Sequence, residues 1–297
     1  MNKYKEQIMG KNKYSVKNIW MSSFDLLVQK PVLLVPFLVV GFLEALALEA
    51  VYFAPRVPLV YVMGPIIRKL MGETFIHYPD SLLVIPNLLY YAQVLIYIVL
   101  GCFLAAVTVN LVKKIKMGIP LKTKALLSNA SSRYVALFAF GILFTLVMFI
   151  TKKVDTLIFY KALGPLLKFI PRKAMVALPL LLAGSIFMAT IVSSTLFALT
   201  IPIIVIRKRS LLKGLFESIT LGIRHFPTIF TMMLIPYFVY LPLVALKTYP
   251  IGFARRTIPE IIPITSAIGI IVAIFVECFV VVCLSQFIIH IDKRLVK

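Results

Sequence analysis

Six stretches of the sequence, at about 31–53, 82–112, 134–151, 174–206, 228–246 and 266–290, are almost wholly apolar. A helix needs about 20 such residues to cross the ~30 Å hydrocarbon core of a bilayer. In that core, backbone N–H and C=O groups must find partners within the spanning structure, which favours helices. The chain is therefore expected to be an all-α integral membrane protein with six transmembrane helices. Composition agrees, because 61% of the 297 residues are hydrophobic and 14% charged, against roughly 45–50% and 25% in soluble domains. An ordinary cytosolic enzyme, a secreted disulfide scaffold and a disordered regulator are excluded. The second and fourth stretches exceed thirty residues, ~45–50 Å of helix, so they tilt or project beyond the bilayer. Pro86 and Pro179 are expected to mark where each enters it, and Pro202 to kink the inner end of the fourth.

Charge sets the expected orientation. Lys and Arg number 32 against 11 Asp and Glu, a net charge of +21. Most of the basic residues flank apolar stretches, a pattern that speaks for membrane topology and anionic headgroups, ~1 kcal/mol per residue near the surface, and against nucleic acid. Segments 1–30, 113–133, 207–227 and 291–297 carry twenty basic and four acidic residues; segments 54–81, 152–173 and 247–265 carry twelve and four. The more basic side faces the cytoplasm, so both termini are expected there, although 152–173 alone holds six basic residues. The first thirty residues are polar and basic, without the early apolar run of a cleavable signal, and the stretch from Pro31 reads as an anchor. Cys102, Cys278 and Cys283 lie in apolar segments and read as small buried hydrophobes, with no metal site or disulfide framework implied.

The organisation reads as three hairpins, each preceded by an amphipathic helix at the cytoplasmic interface. In 210–227, Leu212, Leu215, Phe216, Ile219, Ile223 and Phe226 recur at helical spacing, with Lys213, Glu217 and Arg224 off that stripe. In 14–31, Val16, Ile19, Trp20, Phe24 and Leu27 do the same, and 119–133 is a weaker copy. Basic clusters close each unit: Lys113-Lys114-Ile115-Lys116, Arg207-Lys208-Arg209 and Asp292-Lys293-Arg294. Repeats at 14–116, 119–209 and 210–294 follow. The outer stretches 57–71 and 156–171, proline-bearing and too short to span, are expected to be interfacial or re-entrant helices.

Three basic units of about 100 residues invite comparison with mitochondrial carriers, but their P-x-[DE]-x-x-[KR] signature does not occur. A better match lies in Trp20, Phe24, Pro31 and Pro36 at the opening, and in Gly214-Leu215-Phe216-Glu217-Ser218, Gly222, Arg224 and Pro227 later. There the chain resembles the membrane domain that accompanies some bacterial glycerophosphodiester phosphodiesterases, and its stand-alone multi-pass relatives. The catalytic domain of those enzymes has no counterpart here. The resemblance implies a fold and a bacterial inner membrane, not an activity; the expected location is a bacterial or archaeal cytoplasmic membrane.

Charged groups at bilayer depth default to functional candidates, and Glu44 and Glu277 both fall near the middle of their stretches. Two carboxylates in one low-dielectric cavity cannot both ionise comfortably, the basis of a proton-coupled site; the plain alternative is a carboxyl bonded to a neighbouring hydroxyl or carbonyl. Gly269, Ala273, Glu277 and Ser285 form a small-residue stripe that turns Glu277 inward. Glu49 lies near an outer end and snorkels to water. No Asp falls inside any of the six stretches. The fourth stretch offers Ser185, Thr190, Ser193 and Ser194 first as packing ladders, and second as a polar lining. Gln93, Thr108, Asn110 and Gln286 could join them. Lys113, Lys114, Lys116, Arg207, Lys208 and Arg209 are the candidate contacts for anionic lipid. His225 and His290, without a third ligand, read as interfacial anchors.

No H-E-x-x-H, G-x-S-x-G or Walker A motif is present, so an enzyme is not expected and no cofactor is implied. The leading expectation is a non-enzymatic membrane protein that organises lipid or partner proteins at the cytoplasmic face. Its partners are membrane lipids, chiefly anionic, and proteins the sequence does not identify. The alternative is a transporter or channel for protons, lipids or small molecules.

Overall fold

The computed structural model describes residues 15–120, 123–167, 178–243 and 259–292. Among them there are helices and no strand. A short helix, α1 (Val16–Gln29), leads through a 3-10 turn at Pro31–Leu34 into α2 (Val35–Phe53). After α3 (Val60–Met71) come α4 (Ile85–Ile96), a π-helical turn at Tyr97–Gly101 and α5 (Cys102–Lys116). Then follow α6 (Thr123–Ser131), α7 (Tyr134–Leu167), α8 (Leu178–Phe197) and α9 (Thr200–Ile206). The described chain ends with α10 (Leu211–Arg224), α11 (Phe226–Phe238) and α12 (Ile261–Ile291).

Proline and glycine punctuate this order. Pro36, Pro86 and Pro227 each sit in the first turn of α2, α4 and α11, where a missing N–H costs nothing because it would be unpaired anyway. Pro179 is likewise the second residue of α8. Pro202 does break the fourth stretch. It has no N–H to offer the carbonyl of Ala198, and α8 and α9 part at Ala198–Leu199. At the end of α5, Gly118 takes φ +66. The N–H groups of Gly118 and Ile119 return to the carbonyls of Ile115 and Lys114 at 3.2 and 3.0 Å. That Schellman pair satisfies the last helical carbonyls and needs the left-handed conformation that glycine tolerates.

Five stretches are long and apolar enough to cross a membrane: Pro31–Phe53, Asp80–Lys116, Tyr134–Ala162, Leu178–Ile206 and Ile261–Ile291. A sixth exists only as the pair α10–α11, bent by 93°. The chain is thus a helical protein of multi-pass character, and the third and fifth of the expected stretches run differently. α7 does not stop near Thr151; it runs on as one helix of 34 residues, so no separate interfacial helix begins at residue 156. Lys152, Lys153, Asp155 and Lys161 lower hydropathy without breaking a helix, and the first proline after Tyr134 is Pro165. As a result Asp155 lies on a spanning-length stretch, contrary to the sequence expectation of none. The fifth is interrupted: α11 has 13 residues, ~20 Å, ends just past Pro236, and helix resumes at 241–243 after a turn. Positions 244–246 of the expected fifth span, 174–177 of the fourth, the basic residues Lys168, Arg172, Lys173, Lys293 and Arg294, and Pro171 lie outside the described residues.

α12 is the central post. It packs against α1, α2, α5, α9 and α11 and buries Val276, Val280, Cys283, Leu284, Phe287 and Ile288 in the largest apolar core. α2 approaches it closely at Gly41, whose absent Cβ leaves room for the Ile274 side chain. α7 lies at the periphery, with one sixth of its most apolar stretch (17%) buried. It reaches the bundle through Gly141, where an added Cβ would meet the Ile98 backbone at 3.1 Å. The Tyr134 hydroxyl donates to the Val99 carbonyl at 3.0 Å, inside the π turn, where the helical bonding pattern is interrupted.

Candidate functional site

One end of the bundle collects the basic segments. Arg207, at the end of α9, donates from Nε to Asp292 Oδ2 at 2.9 Å and pairs with Glu217 of α10 through a second guanidinium nitrogen. Lys113 of α5 donates from Nζ to the Ile206 carbonyl at 3.1 Å, satisfying the end of α9. Lys116 donates to Ser22 Oγ at 3.2 Å, and Ser22 in turn donates to Gln286 of α12 at 2.9 Å. Arg133 donates to the Arg209 carbonyl at 2.8 Å, and Arg209 Nε stands 3.7 Å from Glu217. Segments around residues 22, 113–116, 133, 207–217 and 286–292 therefore meet. Of the six basic residues named from sequence, Arg207 and Lys113 are half-buried and spent on internal bonds. Lys116, Lys208 and Arg209 are exposed, and Lys114 is half-buried. Lys208, at φ +54, turns the chain from α9 into α10.

The orientation of α10 was not legible. The large apolar stripe read from the sequence does not as a whole face the bundle. The buried positions are Gly214, Ser218 and Gly222, spaced i, i+4, i+8, while Leu212, Phe216 and Ile223 are 67, 67 and 65% exposed. An added Cβ on Gly222 would stand 3.1 Å from Leu196 Cα and 3.3 Å from two carbonyl oxygens of α8. Ser218 donates to the Leu196 carbonyl at 2.9 Å. Backbone contact this close needs small residues. α1 is mixed: it buries Ile19 and Leu26 with Ser23, and exposes Met21, Phe24 and Val28. The small-xxx-small spacing in 214–222 was the available signal.

Midway along the bundle a second polar group assembles. Gln93 of α4 donates to Glu44 Oε2 of α2 at 2.9 Å. Glu277 of α12 lies within electrostatic reach of Glu44 and of Tyr97, Tyr237 and Tyr240. Tyr237 and Tyr240 stack at 5.9 Å. The two carboxylates named from sequence thus lie within electrostatic reach of one another. The three tyrosines were not foreseen, because a tyrosine in an apolar run reads first as an interfacial belt residue. The α8 hydroxyls do not join this group. Ser185 donates to Asp155 at 2.9 Å, Ser193 shares a bond with Thr151 at 3.2 Å and Ser194 meets Met148 Sδ at 3.6 Å, all on α7. Thr190 bonds back to the Ile186 carbonyl.

At the opposite end, Tyr78 donates to Glu260 Oε1 at 2.6 Å, and that bond holds the Glu260 carboxyl below the ordinary carboxylate range. Back at the basic end, His225 packs edge-on to Phe287 at 5.6 Å and His290 bonds the Gln286 carbonyl. No group of three His, Cys, Asp or Glu able to hold a metal occurs among the described residues. No family model matches the chain, and no curated protein or solved structure is significantly similar to it.

Proposed function

We propose that this is a non-enzymatic, multi-pass protein of a bacterial or archaeal cytoplasmic membrane that gathers anionic lipid around its basic end, with both termini in the cytoplasm. The observation that carries this reading is the attitude of α10. It turns 93° from α11, seats its glycine–serine face on α8 and sends Leu212, Phe216 and Ile223 outward beside exposed Lys213 and Arg224. A helix lying in the interface dips large apolar side chains among acyl chains while Lys and Arg reach lipid phosphates. α1 offers Met21, Phe24 and Val28 with Lys17 in the same manner. Reconstitution of the full chain in phosphatidylcholine vesicles with and without phosphatidylglycerol tests it. Spin-labelled phosphatidylglycerol is expected to be immobilised in preference to spin-labelled phosphatidylcholine. Converting Lys213 and Arg224 to glutamine should remove about half of that preference, as should high salt. A preference indifferent to both changes defeats the reading.

A specific arrangement favours transport as a second reading. Glu44, Gln93, Glu277 and three tyrosines make a polar group inside an otherwise apolar bundle, where such groups mark ion or proton paths. On this reading Glu277→Gln slows proton or solute flux in proteoliposomes about tenfold or more. Flux equal to wild type removes transport from consideration.

A further inference from the structure

Beside the basic knot, a groove of about 660 Å³ opens between the start of α7 and the α9–α10 junction. Ser132, Arg133, Arg209 and Ser210 give its lining a polar rim, and Val135, Ala136 and Ala139 of α7 with Leu211 of α10 make the rest of it apolar. The rim is electropositive for two reasons. Two guanidinium groups line it; Arg133 spends one N–H on the Arg209 carbonyl, of the five a guanidinium carries. The Arg209 side chain is 53% exposed, with Glu217 3.7 Å from its Nε, and Glu217 is itself engaged by Arg207. Finally, two helices begin here, α7 at Tyr134 and α10 at Leu211, and each presents the positive end of its dipole and unpaired N–H groups. Ser210, at the N-cap of α10, makes no side-chain bond to its helix.

Below the rim the chemistry changes. Ala136 and Ala139 are one helical turn apart, and their small side chains leave an apolar furrow in the groove beside Val135 and Leu211. A soluble anion has no use for such a floor. Positive charge at one end and an apolar furrow at the other match an amphiphile, and the volume lies within the range of a small-molecule site.

We propose that this groove binds one anionic phospholipid, its phosphate between Arg133, Arg209 and the first turn of α10, and an acyl chain against Ala136 and Ala139. The inference deepens the lipid-gathering reading and rests on it in placing this end of the bundle at the membrane surface. Arg209 was a sequence candidate; Arg133 was not, because only the fold brings it to the α9–α10 junction.

Native mass spectrometry of the full chain, released from detergent with added phosphatidylglycerol, reads the site directly. The expected result is one phosphatidylglycerol retained per chain, phosphatidylcholine not retained, and no displacement by inorganic phosphate. Arg133→Gln combined with Arg209→Gln should weaken retention at least tenfold. Ala139→Phe, which fills the furrow without touching charge, should do the same. Retention unchanged in both variants overturns the proposal, and so does displacement by inorganic phosphate, which would mark a plain anion site. If wild type keeps no single lipid while the vesicle preference above persists, the groove assignment falls and the broader reading stands. A retained lipid without that preference is the reverse.

Discussion

Replacing Gly222 with leucine is expected to destabilise the protein by about 3 kcal/mol, the upper part of the range for overpacking a tight seam. The cause is the seat of α10 on α8. A Cβ at residue 222 already meets Leu196 Cα at 3.1 Å and the Leu196 and Thr195 carbonyls at 3.3 Å, and backbone atoms cannot rotate away as a side chain can. Alanine is the instructive intermediate. It gains up to about 1 kcal/mol of helix propensity over glycine, which offsets part of the steric cost and holds the net loss near 1 kcal/mol. Leucine adds three more carbons that have nowhere to go. Thermal unfolding of the full chain in detergent measures the loss. A cysteine at position 218 adds a local readout, since Ser218 is fully buried against α8. It should resist thiol reagents with Gly222 present and react when leucine replaces it. A leucine variant as stable as wild type, with residue 218 still protected, means that α10 does not sit as described.

Arg207→Met carries the second large effect, a loss of about 2 kcal/mol. Arg207 joins Glu217 of α10 to Asp292 at the end of α12, and the three side chains are 16, 28 and 21% exposed. Removing the cation leaves two carboxylates facing one another in a partly dry site, so the cost is mainly their repulsion and lost solvation. Breaking a fully buried pair costs about 3–5 kcal/mol; the residual solvent here brings the figure down. Because both carboxylates are the source of the cost, adding Glu217→Gln and Asp292→Asn to Arg207→Met should recover most of the stability. A single variant already at wild-type stability, or a triple variant no better than the single, contradicts this account. The same geometry separates Arg207 from lipid binding, since its guanidinium is occupied from within, whereas Arg133 and Arg209 line an open groove.

How far the sequence reached is plain from particular residues. Pro31–Phe53 and the start of α7 at Tyr134 were legible because hydrocarbon length and proline chemistry act locally. Pro202 announced the α8–α9 break for the same reason. Asp155 was placed in a loop because Lys152 and Lys153 ended the apolar run, yet charge ends hydropathy without ending a helix. The neighbourhood of Glu44 and Glu277 was open to inference from depth alone, but their tyrosine companions come from the π turn, α11 and the turn after it, and depth says nothing about azimuth.

By itself, then, the sequence determined that the chain is helical, that it carries several apolar stretches of membrane-spanning length and that the clusters at 113–116 and 207–209 lie at helix ends. These follow from the length of apolar runs and from backbone bonding, each satisfied within a single segment. Tertiary structure alone decided which face of α10 turns inward, that Arg207 is an internal tie and that Arg133 meets Arg209 across a groove. Facing is set by close packing against another helix, and when leucines and glycines alternate on one helix, either face can be apolar enough. Close approach at Gly214, against the Ile204 side chain, and at Gly222, against the Leu196 backbone, then selects the small one.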